Sequence, residues 1–92
     1  MPKLNIAVIG SGNMGKHHAR VYSELPTANL VAICDANAEK AQSLAKQYGC
    51  LSYGDYKKMF KEQKIDAVSI AVPTFLHHEV AMYALDHNVN VL

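Results

Sequence analysis

Asn5-Ile6-Ala7-Val8-Ile9-Gly10-Ser11-Gly12-Asn13-Met14-Gly15 is the stretch on which the fold turns. A mostly apolar run, Asn5 to Ile9, enters Gly-x-Gly-x-x-Gly directly, and a segment of helical period follows. Each glycine has its own physical task. Gly10 permits the tight turn out of the strand, Gly12 lets a pyrophosphate approach the backbone, and Gly15 lets the helix pack close to the sheet. The unpaired N–H groups at the helix start, at the positive end of its dipole, then hold the phosphates. Ser11, Asn13 and Met14 belong to the same expected site. An acid, Asp35, ends the next apolar run twenty residues after Gly15, where it can accept hydrogen bonds from an adenosine ribose. Its charge repels a 2′-phosphate, and Ala36 and Asn37 follow it instead of an arginine. The expected ligand is therefore NAD, with Asn37 keeping NADP open.

Two other readings compete. Gly10 to Lys16 also spells Gly-x-x-x-x-Gly-Lys, the opening of a P-loop, but His17 stands where Ser or Thr should hold magnesium. The run Ala67 to Val72 leads into Pro73 and not into an acid that would help hold the metal. The plainer alternative is a glycine turn in which Asp35 only caps the second helix.

Working outward, short apolar runs alternate with helical segments, the pattern of βαβ units and a parallel sheet. A helix is expected from Asn13 to Leu25, with Met14, His18, Val21, Tyr22 and Leu25 on its inner face, and Pro26 stops it. A strand from Leu30 to Cys34 leads to a helix over Ala38 to Tyr48, closed by Gly49 in the left-handed conformation. A short strand at Leu51 to Tyr53 precedes a helix capped by Asp55, whose inner face is Tyr56, Met59 and Phe60. The strand Ala67 to Val72 is apolar except for Ser69, as suits a strand covered on both faces. Pro73 and Thr74 turn into a last helix with His77, Val80, Ala81, Ala84 and Leu85 inward and a left-handed Asn88 at its end. The last run is Val89 to Leu92. Right-handed crossovers then predict an α/β fold, an open doubly wound parallel sheet of Rossmann-like type, with strand order 3-2-1-4-5. The first two helices cover one face and the last two the other. Ligands bind such sheets beyond the strand C-termini, at the switch between strands one and four.

Ninety-two residues allow one domain, and a composition that is 50% apolar and 18% charged suits a packed core. A net charge of +1 gives no electrostatic reason to expect nucleic acid or an anionic membrane as partner. No apolar run reaches the ~18 residues of a membrane span, and Met1 to Gly10 lacks a leader's cleavage pattern. Cys34 and Cys50 fall at opposite ends of neighbouring parallel strands, too far apart to bridge, so a reducing cytoplasm is the expected compartment. No metal site is expected. His17–His18 and His77–His78 are adjacent pairs that diverge by about 100° on a helix, and His87 suits a helix C-terminus. Lys57, Lys58, Lys61 and Lys64 read as a solvated face, and Tyr48, Tyr53 and Tyr56 as packing residues.

The chain also resembles the Gfo/Idh/MocA oxidoreductases, the relatives of glucose–fructose oxidoreductase and inositol dehydrogenase. The matching features are G-S-G-N-M-G-K-H-H-A (Gly10–Ala19), V-A-I-C-D (Val31–Asp35) and Y-G-D-Y-K-K-M-F (Tyr53–Phe60). The most specific is I-D-A-V-S-I-A-V-P-T-F-L-H-H-E-V-A-M-Y-A-L (Ile65–Leu85), with Pro73 and His77 at the family's P-x-x-x-H spacing. Arg20 to Leu25 resembles the branch acting on UDP-N-acetylglucosamine at the 3-position. The resemblance implies hydride transfer between a sugar, sugar-nucleotide or polyol hydroxyl and a nicotinamide. It also implies that Ala71, Val72, Pro73 and Thr74 lie along the cofactor, with His77 near the nicotinamide side. The family's Glu-Lys-Pro run, which carries its catalytic lysine, and its substrate domain would follow Leu92. No catalytic residue is therefore carried over, and residues 1–92 are expected to bind dinucleotide without turnover. The alternative is a non-catalytic nucleotide-binding or interaction module that associates into a homo-oligomer through its last strand.

Overall fold

The computed structural model describes residues 3–92. Met1 and Pro2, which begin the stretch read against a leader, lie outside the described residues. Strands and helices alternate throughout: β1 (Leu4–Ile9), α1 (Asn13–Glu24), β2 (Ala28–Cys34), α2 (Ala38–Tyr48), β3 (Leu51–Tyr53), α3 (Tyr56–Glu62), β4 (Ala67–Ile70), α4 (Thr74–Asp86) and β5 (Asn90–Val91). The sheet has the expected order, β3-β2-β1-β4-β5. Every pairing is parallel, and Val31 is skipped in the β1–β2 register where Ile6 faces Leu30 and Ala7 faces Ala32. Among the described residues no helix is long and apolar enough to cross a membrane.

The period-two alternation of strands divides the core between the two faces. Ala7, Ile9, Ala32, Cys34, Val68 and Ile70 pack with Met59 of α3 and with Val80 and Ala84 of α4. On the other face Val8 and Ile33 pack with Ala19 of α1 and with Leu44 and Ala45 of α2. Ser69, the polar exception in β4, is buried on the α1 side, and a 2.6 Å hydrogen bond joins its hydroxyl to His18 Nδ1. A buried hydroxyl is thereby satisfied across the sheet–helix interface. Local chemistry sets the helix ends. Asn37 Oδ1 accepts from the Lys40 N–H at 3.2 Å and Asp55 Oδ1 from the Lys57 N–H at 2.9 Å, while Gly49 closes α2 at φ 68°. Asn88 takes the left-handed conformation, φ 60°.

The structure revises several boundaries and faces. β2 starts at Ala28, and Leu25 is the C-cap of α1. β4 ends at Ile70, because Ala71 makes one last bond to the Ile9 carbonyl before the chain turns toward Pro73. The last run shortens to Asn90–Val91. The buried face of α1 is Gly15 and Ala19, and Met14 and Leu25 are exposed. Its first turn opens onto a cleft, and the close approach that Gly15 allows leaves little room for larger side chains there. On α4, Val80 and Ala84 are buried as expected, but His77 and Leu85 face solvent. This helix is apolar around much of its circumference, so periodicity could not single out the inner stripe.

Candidate functional site

At the C-terminal ends of the central strands, the β1–α1 and β4–α4 connections diverge to opposite faces of the sheet. Between them lies a cleft of about 710 Å³. The glycine loop forms its floor. The Gly10 N–H donates to the Cys34 carbonyl at 2.7 Å, tying the turn to the end of β2. Gly10 has φ +101°, and a Cβ there would meet the carbonyl of Ala71, with its carbon at 2.7 Å. A Cβ at Gly15 would collide with the carbonyl of Gly10. Both positions therefore need glycine for the fold itself. Gly12 differs: its φ is −72°, and a Cβ there would meet nothing within 4 Å. The space beyond Gly12 is kept open without any need of the protein's own packing.

The start of α1 is open as well. Like α4, and unlike α2 and α3, it has no side-chain cap, and its first turn holds no acid. Its first intrahelical bond runs from the Lys16 N–H to the Gly12 carbonyl. The N–H groups of Asn13, Met14 and Gly15 precede that bond, at the positive end of the helix dipole.

Asp35 follows β2 at the other side of the loop. Its Oδ2 accepts from the Ser11 N–H at 2.8 Å and from the Ser11 hydroxyl at 2.5 Å, and its Oδ1 accepts from the Asn37 N–H at 2.8 Å. Burial works against the charged form of Asp35. The hydrogen bonds from Ser11 and Asn37, helped by the charge of Lys40, outweigh it and hold the carboxyl below the ordinary range. Beside it Cys34 is buried, and burial together with the nearby Asp35 and Asp55 charges pushes its thiol up to about 12.

Of the residues singled out in the sequence, the cleft gathers Gly10 to Met14, Asp35, Ala71, Val72 and Pro73. Gly15 lies buried beneath its floor. Asn37 spends its side chain capping α2, so it, and not Asp35, is the helix cap. Thr74 and His77 line a separate, shallower hollow of about 480 Å³ with Val72, His78 and Ala81. Lys40, Gly54, Asp55 and Tyr56 also line the main cleft, and sequence reasoning missed them. The register of Cys34 opposite Tyr53 was the available signal, since it sets the β3–α3 turn beside Asp35. Among the described residues, no three His, Cys, Asp or Glu side chains come together as metal ligands.

This geometry agrees with comparison to known proteins. The chain is 33% identical over 90 residues to the inositol 2-dehydrogenase of Renibacterium salmoninarum, covering 97% of this chain and 27% of that enzyme. It superposes on the UDP-N-acetylglucosamine 3-dehydrogenase of Acidithiobacillus ferrooxidans with TM-score 0.88 and 34% identity, covering 100% of this chain and 29% of that one. It also superposes on an Agrobacterium radiobacter oxidoreductase solved in complex with NAD+, L-tartaric acid and magnesium. There the TM-score is 0.89 and the identity 27%, over 97% of this chain and 26% of the other. The chain spans about a quarter of the length of these relatives. The profile of the Gfo/Idh/MocA oxidoreductases, described as an oxidoreductase family with an NAD-binding Rossmann fold, matches residues 4–92. With sheet order, glycine loop and profile in agreement, the chain belongs to the Gfo/Idh/MocA oxidoreductase family.

Proposed function

We propose that residues 1–92 form the NAD-binding part of a dehydrogenase that moves hydride between a sugar, sugar-nucleotide or polyol hydroxyl and a nicotinamide. The observation that carries this reading is the glycine-loop start of α1, uncapped and open past Gly12, in a cleft that holds the Asp35 carboxylate beside the loop. A pyrophosphate matches that start: the N–H groups of Asn13, Met14 and Gly15 supply donors, and the space at Gly12 admits the phosphates. Asp35 is the ribose acceptor, and its charge prefers NAD to NADP. Ala71, Val72 and Pro73 form the opposite wall and orient the nicotinamide half, with Thr74 and His77 beyond it. When bound, NAD supplies the hydride acceptor. The residues of this chain hold and orient it, and no acid–base group is assigned among them.

Relatives that act on inositol and on UDP-N-acetylglucosamine support the sugar or polyol substrate class. The two free thiols, Cys34 and Cys50, agree with a cytoplasmic setting. Calorimetric titration of the folded chain with NAD tests the reading. Saturable heat is expected, weakened at least tenfold by Asp35→Ala, and no heat at millimolar NAD would overturn it. One observation favours a second reading, a self-associating module. Phe75, Met82 and Leu85 of α4 are exposed apolar side chains, and β5 is a sheet edge. Sedimentation that stays monomeric from micromolar to millimolar concentration would remove it.

A further inference from the structure

We propose that Ser11 is a positioning residue for Asp35: its hydroxyl and N–H fix the carboxylate in one orientation and so set the preference for a ribose with a free 2′-hydroxyl over a 2′-phosphate. This inference rests on the dinucleotide reading given above. It assigns Ser11 to the adenosine end of the site, whereas its place in the glycine loop would assign it to the phosphates.

Three observations carry it. Ser11 is only 1% exposed, although it lies in a loop bordering an open cleft, and its hydroxyl is engaged by Asp35. That hydroxyl is 2.5 Å from Asp35 Oδ2, and the Ser11 N–H reaches the same oxygen at 2.8 Å. The bridge spans 24 residues, from the β1–α1 loop to the end of β2, so local backbone preference does not produce it. A carboxylate offers about four lone-pair sites. Ser11 takes both on Oδ2 and the Asn37 N–H takes one on Oδ1, which leaves one, on Oδ1, for a ligand.

An acceptor with a single open site is a selective one. A ribose hydroxyl can donate to it, while a 2′-phosphate brings charge and no proton to share. The same hydrogen bonds favour the charged carboxylate over its protonated form. The other charged and titratable groups around it do not replace Ser11. Lys40 approaches from α2, Asp55 and Tyr56 from the β3–α3 turn, Cys34 precedes Asp35 in the chain, and α1 contributes no acid in its first turn. Lys40 alone favours the carboxylate, and it would equally attract a 2′-phosphate.

The experiment compares the wild-type chain with Ser11→Ala and the near-isosteric Ser11→Cys in calorimetric titrations with NAD and NADP. In parallel, the Asp35 side-chain carboxyl is titrated by NMR in the free protein. Without its clamp Asp35 must be ordered when the ligand binds, which predicts a loss of NAD affinity of up to about tenfold in Ser11→Ala. NADP affinity should hold or rise, so the NAD-to-NADP ratio falls, and the Asp35 midpoint should move upward. Ser11→Cys, which keeps the volume with a weak donor, should fall between and covers the case in which the alanine variant unfolds. Equal loss of both cofactors with an unmoved Asp35 midpoint would overturn the proposal, because Ser11 would then serve the phosphates. Unchanged affinities would overturn it as well. A folded wild-type chain that binds neither cofactor would overturn the dinucleotide reading and the selectivity built on it. The carboxyl titration, made without ligand, would still report whether Ser11 holds Asp35.

Discussion

Gly12→Val separates binding from folding more cleanly than any other change in this chain. At φ −72° and ψ −166°, Gly12 has a backbone that any residue can adopt, and a Cβ there meets no atom within 4 Å. The cost to the fold is the loss of a glycine N-cap for a poorer one, about 1 kcal/mol or less, which lowers Tm by about 4–8 °C at most. The cost to binding is much larger. The valine side chain fills the space through which a pyrophosphate would reach the N–H groups of Asn13, Met14 and Gly15. Hydrogen bonds to charged groups contribute about 1.5–3 kcal/mol each. Losing two of them weakens binding by about 100-fold or more. Gly10→Ala and Gly15→Ala should behave oppositely. The first is strained at φ +101° against the Ala71 carbonyl, and the second drives a Cβ into the Gly10 carbonyl. Overpacking of this kind costs about 1–3 kcal/mol. Calorimetry with NAD and thermal melts of the three variants check the contrast. A Gly12→Val chain that binds NAD within about threefold of wild type would refute this reasoning. So would one that melts with the two alanine variants.

Three further outcomes are expected. Asn37→Ala removes the α2 cap and should cost about 1 kcal/mol in urea melts, while NAD affinity stays close to wild type, because the side chain faces the Lys40 N–H and lies outside the cleft. Asp35 has a lowered carboxyl pKa in the folded chain, so its stabilising contribution is present above the unfolded value and disappears as pH falls through the folded one. Urea melts between about pH 2 and 5 should therefore show a shallower acid loss in Asp35→Asn than in wild type. Burial pushes the thiols of Cys34 and Cys50 up to about 12 and about 11, so both should resist a thiol reagent at pH 8 until urea unfolds the chain.

The strand–glycine–helix start was legible because its physics is local. A backbone turn at Gly10, a close approach at Gly15 and an acid after the next strand can each be read without knowing the rest of the fold. Strand order followed from the handedness of crossovers, and the caps Asp55 and Gly49 from their own chemistry. What escaped lay between segments distant in sequence. The Ser11–Asp35 bridge joins two loops 24 residues apart, and Gly54 and Tyr56 reach the cleft only because β2 and β3 are neighbours. Helix faces failed for a different reason. Met14 is apolar yet stands 65% exposed, since the first turn of α1 borders the cleft. On α4, apolar residues on both sides hid the fact that only Val80 and Ala84 are buried.

Backbone NMR of the chain during an NAD titration tests the central claim most directly, because it reports folding and the location of the ligand together. Saturable shifts should concentrate at Gly10–Gly15, at Asp35 and Ala36, and at Ala71–Pro73, with the outer face of α4 silent. A well-dispersed spectrum that does not move at millimolar NAD would contradict the account, as would shifts gathered on α4 and β5.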